Sequence, residues 1–324
     1  MARLPHRFRP AASSPPVLGR SAALAAAVLA GVVVGGAVEA VRRRRAVPAA
    51  HGDERTMTTT AGNVLAYRVH RPPDDAPADP FAPLVVFDGA LGDGAGHAEW
   101  LLRELAVTGP VVTYHRAGYG RSSYTGGRHF DIDAAAADLA DLVRHVAGER
   151  PVVLVGHSLG GYLAATAARR LPGHVLALGL VDPSHPGEPL GRVDTGPAGA
   201  SLDGVVLRLD ADARTCAAVR REWRGARARF LRHEGRLPRA DVPTIVITGK
   251  RSGDLRDRLR LQREYCEAAP TAVHRELDAP REQLVTHWAV AQHVGQLLGE
   301  FVDSLAAGWA VTVPVPPGAT RGHA

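Results

Sequence analysis

The residues best suited to chemistry lie in the stretch Leu154-Val155-Gly156-His157-Ser158-Leu159-Gly160-Gly161. A run of small and apolar residues, Pro151 to Val155, leads into Gly156-x-Ser158-x-Gly160, and an alanine-rich segment, Tyr162 to Leu171, follows. The pattern reads as strand, sharp turn and helix, with a serine at the apex. Glycines on either side let strand and helix approach closely, and the strained turn presents the serine hydroxyl. A serine hydroxyl is a poor nucleophile at neutral pH, so Ser158 needs a base within hydrogen-bond reach. His157 does not supply it, because neighbours on a tight turn point apart; its expected role is structural.

The elements that must position Ser158 alternate along the chain. Thr56 to His70 alternates about Gly62-Asn63 as a hairpin would, and a Pro/Asp-rich loop, Arg71 to Pro83, follows. Strands are expected at Leu84 to Phe87, Val111 to Tyr114, Pro151 to Val155, Val175 to Val181, Val242 to Thr248 and Val273 to Leu277. Helices are expected at Ala98 to Val107, Ile132 to Val146, Tyr162 to Leu171, Leu255 to Ala268 and Ala289 to Leu305. Short apolar strands alternating with helices indicate an α/β fold, a mostly parallel, doubly wound sheet covered on both faces. The Arg- and Gly-rich segment at about 186–240 interrupts the alternation, with a helical stretch near Ala211 to His233, and reads as an inserted lid.

Composition bounds the partners. The net charge is +6, but residues 1–55 hold nine arginines against three acids, so the rest of the chain is formally neutral. The basic character belongs to the N-terminus, and no nucleic-acid partner is expected. Ser21 to Val38 is eighteen residues without a charge, followed by Arg42-Arg43-Arg44-Arg45. This predicts a basic segment over 1–20, a hydrophobic membrane-spanning helix over 21–41 as a single-pass N-terminal anchor, and a basic linker over 42–55. A cleaved signal peptide on a secreted protein is the alternative, and arginines at both ends leave the orientation open. Residues 306–324 end in a Pro-rich run and are expected to be a disordered tail. Cys216 and Cys266 make no disulfide framework, and no metal-ligand spacing is evident. Gly92 to Gly96 lacks a phosphate-loop lysine and dinucleotide spacing, so no cofactor is assigned.

Over residues 56–305 the chain resembles the α/β-hydrolase fold family, in its serine-hydrolase branch. Gly156-His157-Ser158-Leu159-Gly160-Gly161 is similar to that family's nucleophile elbow. Tyr114-His115-Arg116-Ala117-Gly118-Tyr119-Gly120-Arg121-Ser122 resembles its D-R-x-G-x-G-x-S loop, with His115 where aspartate is common. Val181-Asp182-Pro183-Ser184-His185-Pro186 resembles the strand end before the lid, and Val242 to Gly249 the strand before the catalytic acid.

The resemblance implies a triad in the order Ser, acid, His. His287, after the final strand and just before the final helix, is the implied base, and His293 lies farther into that helix. Asp254, five residues past Gly249, is the implied acid, and Asp182 at the preceding strand end is the alternative. Leu159 and Ala90 are the implied backbone donors of the oxyanion hole. Asp88 stands where the family often has histidine, and its charge must point away or be neutralised by His115 or Arg116. The expected function is a serine hydrolase acting on a carboxylic ester or related small-molecule acyl substrate. Thioester, lactone, C–C and perhydrolase chemistry use the same triad. A membrane-tethered, weakly active binding protein on the same fold is the alternative.

Overall fold

Short runs rich in Val, Ile and Leu, too short for stable helices, form the central strands of the sheet. The computed structural model describes residues 54–71, 82–93, 98–127, 130–188, 200–202, 205–207, 213–232, 236–251 and 255–309. Its elements are β1 (Arg55–Thr58), β2 (Val64–His70), β3 (Leu84–Asp88), α1 (Glu99–Thr108), β4 (Val111–Tyr114), α2 (Ile132–Ala147), β5 (Val152–His157), α3 (Leu159–Ala168) and β6 (Val175–Val181). After these come β7 (Ala200–Leu202), β8 (Val205–Leu207), α4 (Ala213–Arg232), β9 (Thr244–Gly249), α5 (Leu255–Glu267), β10 (Ala272–Leu277), α6 (Gln283–Thr286) and α7 (Trp288–Trp309).

Eight strands form one sheet in the order β1-β2-β4-β3-β5-β6-β9-β10. The β1–β2 and β2–β4 pairings are antiparallel, and the pairings from β4 to β10 are parallel. The hairpin expected about Gly62-Asn63 is present, with Gly62 at φ 81°. Strand β5 alternates its side chains between two cores. Val152 and Leu154 face the cluster built with α2 and α3, which holds Leu139, Leu142, Tyr162 and Leu163. Val153 and Val155 face the opposite cluster, built with α1 and α7 around Leu101, Leu105, Val294 and Leu298. Burial on both faces explains why β5 is an unbroken apolar run from Val152 to Val155.

Several elements differ from expectation. Strand β1 starts at Arg55, so the linker expected over 42–55 gives way to structure there. Helix α3 starts at Leu159, directly after Ser158, because the elbow turn needs no further residue. Helix α7 runs to Trp309, past the expected tail boundary at 306. The insertion before β9 holds a small β7–β8 hairpin as well as α4, where only a helix was expected. The apolar run Ser21 to Val38 and residues 310–324 lie outside the described residues. Among the described residues no helix is long and apolar enough to cross a membrane.

Because the central strands are parallel, every loop that follows one opens on the same edge. That edge gathers Asp88 at the end of β3, Ser158 after β5, Asp182 after β6 and the segment after β10. Strands β3 and β5 are neighbours with Asp88 in register with Gly156, and the chain turns to opposite sides of the sheet about them. Ligands of open α/β sheets bind at such switch points, beyond the carboxyl ends of the strands.

Candidate active site

Ser158 sits at φ 53° and ψ −120°, a conformation that non-glycine residues rarely adopt. Such a residue is strained by about 1–3 kcal/mol and persists only where its surroundings hold it. The surroundings are glycine contacts. A Cβ on Gly156 would press on the Gly160 carbonyl, and one on Gly160 would press on the backbone carbonyls of Asp88 and Gly89. The elbow therefore touches the loop after β3 with no side chain between them. Ser158 is half-buried, its N–H donates to Val181 O at 3.1 Å, and its carbonyl accepts from Ser184 N–H at 2.9 Å. Its Oγ lies 3.3 Å from Ser184 Oγ, the one side-chain partner it has among the described residues. Ser184 was not singled out from sequence, since no spacing rule ties a residue after β6 to the elbow. Leu159 opens α3, and its N–H is taken by no hydrogen bond among the described residues, as first-turn amides commonly are.

The loop after β3 is built around Arg116, and all five guanidinium N–H groups find acceptors. Nη1 donates to Asp88 Oδ1 at 2.5 Å and Gly89 O at 2.7 Å. Nη2 donates to Ala90 O at 2.8 Å and Glu222 Oε2 at 3.0 Å, and Nε donates to Glu222 Oε1 at 2.6 Å. The Tyr119 hydroxyl donates to Glu222 Oε2 at 2.5 Å. Arg116, and not His115, is thus the counter-ion of Asp88. Burial works against the Arg116 charge, but Glu222 and Asp88 outweigh it and hold the guanidinium protonated. Burial pushes the Asp88 carboxyl above its ordinary value by more than Arg116 draws it down. Glu222 on α4 escaped the sequence reading, because nothing local marks it as the partner of a residue 106 positions away.

Ala90 N–H donates to Asp93 Oδ2 at 3.2 Å, and Asp93 N–H donates back to Ala90 O at 3.1 Å. Gly92, at φ 82°, permits this turn. The amide implied as an oxyanion donor therefore faces a carboxylate, which a developing oxyanion must displace. His157 is buried, neither ring nitrogen is hydrogen-bonded among the described residues, and its Nδ1 lies 3.9 Å from Asp93 Oδ2.

His287 lies at the break between α6 and α7, at φ −92° and ψ 121°, in the interval after the last strand where the base was expected. Its backbone N–H donates to Gln283 O and its carbonyl accepts from Ala291 N–H, so the chain on both sides fixes its place. Its Nδ1 is buried and lacks a hydrogen-bond partner among the described residues, and its ring is not hydrogen-bonded to Ser158. Asp254 lies outside the described residues. His293 is exposed on α7.

Asp182 is fully buried at φ 44°, with both oxygens engaged. Arg258 Nη2 lies 2.5 Å from each oxygen, Arg281 Nε donates at 3.0 Å, and Gly249 N–H donates at 3.0 Å. Burial alone would raise this carboxyl, but Arg281, Arg258 and the Gly249 amide outweigh it and hold it below the usual carboxylate range. These contacts tie the end of β6 to α5 and to the segment leading to His287. They leave the carboxylate committed to arginine and not to histidine.

Helix α4 packs beside the Arg116 loop and against α2 and α3. Phe230 packs edge-on to Tyr162 with ring centroids 4.9 Å apart, Arg229 pairs with Asp133 at 2.9 Å, and Arg221 stacks over the Tyr124 ring at 4.0 Å.

Comparison with known proteins agrees with this fold. Residues 82–213 match the family model described as alpha/beta hydrolase fold. A 108-residue stretch, 31% of this chain, is 35% identical to 29% of the pig (Sus scrofa) protein named 1-acylglycerol-3-phosphate O-acyltransferase ABHD5. A 75-residue stretch, 23% of this chain, is 40% identical to 28% of lipase LipV of Mycobacterium tuberculosis. The chain thus spans less than a third of the length of either curated relative. The enol-lactonase structure from Burkholderia xenovorans superposes with a TM-score of 0.55 over 77% of this chain and 100% of its own, at 19% identity. Strand order, elbow and matched segment together show that this chain has the α/β-hydrolase fold.

Proposed function

We propose that this chain is a serine hydrolase that cleaves a carboxylic ester or related acyl substrate through an acyl-enzyme on Ser158. The observation that carries the reading is the strained, half-exposed Ser158, with an unpaired Leu159 amide beside it and the β3 loop against the elbow. Ser158 Oγ attacks the acyl carbon while His287 takes its proton. The carbonyl oxygen becomes an oxyanion held by the Leu159 and Ala90 N–H groups. Collapse expels the alcohol, which leaves with the proton from His287. Water then repeats the sequence on the acyl-enzyme and releases the acid. Asp254 orients His287 through Nδ1, an atom that is buried and has no hydrogen-bond partner among the described residues. Acyl chemistry also suits the names of the similar proteins, an acyltransferase and a lipase.

A second reading, a binding protein with little turnover, is favoured by the Ala90 amide that Asp93 occupies. A fluorophosphonate probe separates the two. Labelling is expected for the full chain and for neither Ser158→Ala nor His287→Ala. A folded wild-type protein that does not label would leave the binding reading standing.

A further inference from the structure

We propose that Glu222 on α4 is a positioning residue of the oxyanion loop, acting through Arg116. The inference rests on the serine-hydrolase reading and adds to it a residue from outside the catalytic segments. Gly89 C=O and Ala90 N–H belong to one trans peptide unit, so they point in opposite directions from a single plane. Arg116 Nη1 grips that carbonyl at 2.7 Å, and Nη2 grips the next, Ala90 O, at 2.8 Å. Fixing the Gly89 oxygen therefore aims the Ala90 amide. The same peptide lies against the elbow, since Gly160 has room for no Cβ beside Gly89 O.

Arg116 can hold both carbonyls only while its own plane is fixed. Asp88 engages one nitrogen. Glu222 engages two, in the bidentate geometry that sets the orientation of a guanidinium. Tyr119 in turn fixes Glu222 through Oε2. Glu222 is the sole carboxylate of α4, among seven arginines, and it is 1% exposed. An acid on a helix otherwise basic, taken out of water, is costly unless paired and hydrogen-bonded. Its three contacts supply that pairing, and they all lead to the catalytic loop. The inserted helix thus brings the counter-ion that completes the oxyanion loop, and its seat is coupled to the aim of the Ala90 amide.

The test compares Glu222→Gln, Glu222→Asp and Tyr119→Phe with wild type in the full chain. The readouts are p-nitrophenyl acetate kinetics, fluorophosphonate labelling and thermal melting. Loss of an oxyanion donor costs about 10²–10³ in kcat, so a misaimed one in Glu222→Gln should cost roughly 10–100-fold with KM within about threefold. Glu222→Asp, which keeps the charge, should recover part of the loss. Tyr119→Phe removes one hydroxyl and should lower kcat in the same direction by less, so it serves if Glu222→Gln does not fold. Wild-type kcat in folded variants, or a loss confined to KM, overturns the inference. A wild-type protein that neither labels nor turns over removes the serine-hydrolase reading itself, and the inference with it.

Discussion

Replacing Asp182 by asparagine separates the two roles that its place in the chain leaves open. The carboxylate takes two arginines and one amide in a site with no solvent exposure. Asparagine keeps the shape and an acceptor for Gly249, but withdraws the charge facing Arg258 and Arg281. Breaking a buried ion pair from one side costs about 3–5 kcal/mol. Glu188 still faces Arg281 at 3.3 Å, which puts the expected cost at the low end. About 3 kcal/mol in a domain of this size lowers the melting temperature by roughly 6–12 °C. Because Asp182 is held below the usual carboxylate range, its stabilising contribution is complete above the unfolded value and is lost as pH falls through the folded one. The melting gap between wild type and Asp182→Asn should therefore be full at neutral pH and shrink below about pH 4. Reactivity should respond otherwise. Labelling of Ser158, measured well below the melting temperature, should stay within about threefold, whereas loss of a triad acid costs about 10⁴ in kcat. A folded Asp182→Asn that loses labelling about a thousandfold, beside an Asp254→Asn that labels normally, would refute the assignment of Asp182 as a counter-ion.

Two further substitutions probe the loop after β3. Gly160→Ala places a methyl against the backbone carbonyls of Asp88 and Gly89, which cannot swing aside as a side chain would. Overpacking of about 1–3 kcal/mol and at least a roughly tenfold slower labelling rate are expected, and an unchanged rate would mean that the elbow and the oxyanion loop are not in contact. Asp93→Ala frees the Ala90 amide and removes an anion from beside it. Labelling should then be faster by roughly 2–10-fold, and a rate equal to or below wild type would take Ala90 out of the oxyanion hole.

Much of the fold was legible because its rules are local. Val111–Tyr114 and Val175–Val181 appear as strands at the expected bounds, since short apolar runs between turn-forming residues have few alternatives. The elbow was legible for the same reason: Gly156, Ser158 and Gly160 encode one turn within five residues. His287 was placed by chain order, after the last strand of an alternating series. The ion pairs were not legible. Asp182 draws on Arg258 and Arg281, far off in sequence, and the stretch around Arg258 also offers Arg251, Arg256, Arg260 and Arg263, so no spacing selects the pair.

The amino-acid sequence by itself determined the alternation of strand and helix, the strained serine between β5 and α3, and the edge of the sheet on which a base could follow. Steric rules over a few residues dictate these. Only the tertiary structure decided that Arg116 neutralises Asp88, that Glu222 from a distant helix orients Arg116, that Ser184 meets Ser158, and that Asp182 is spent on two arginines. Burial makes an unpaired charge costly wherever the chain brings it, and which partner answers depends on how the layers pack.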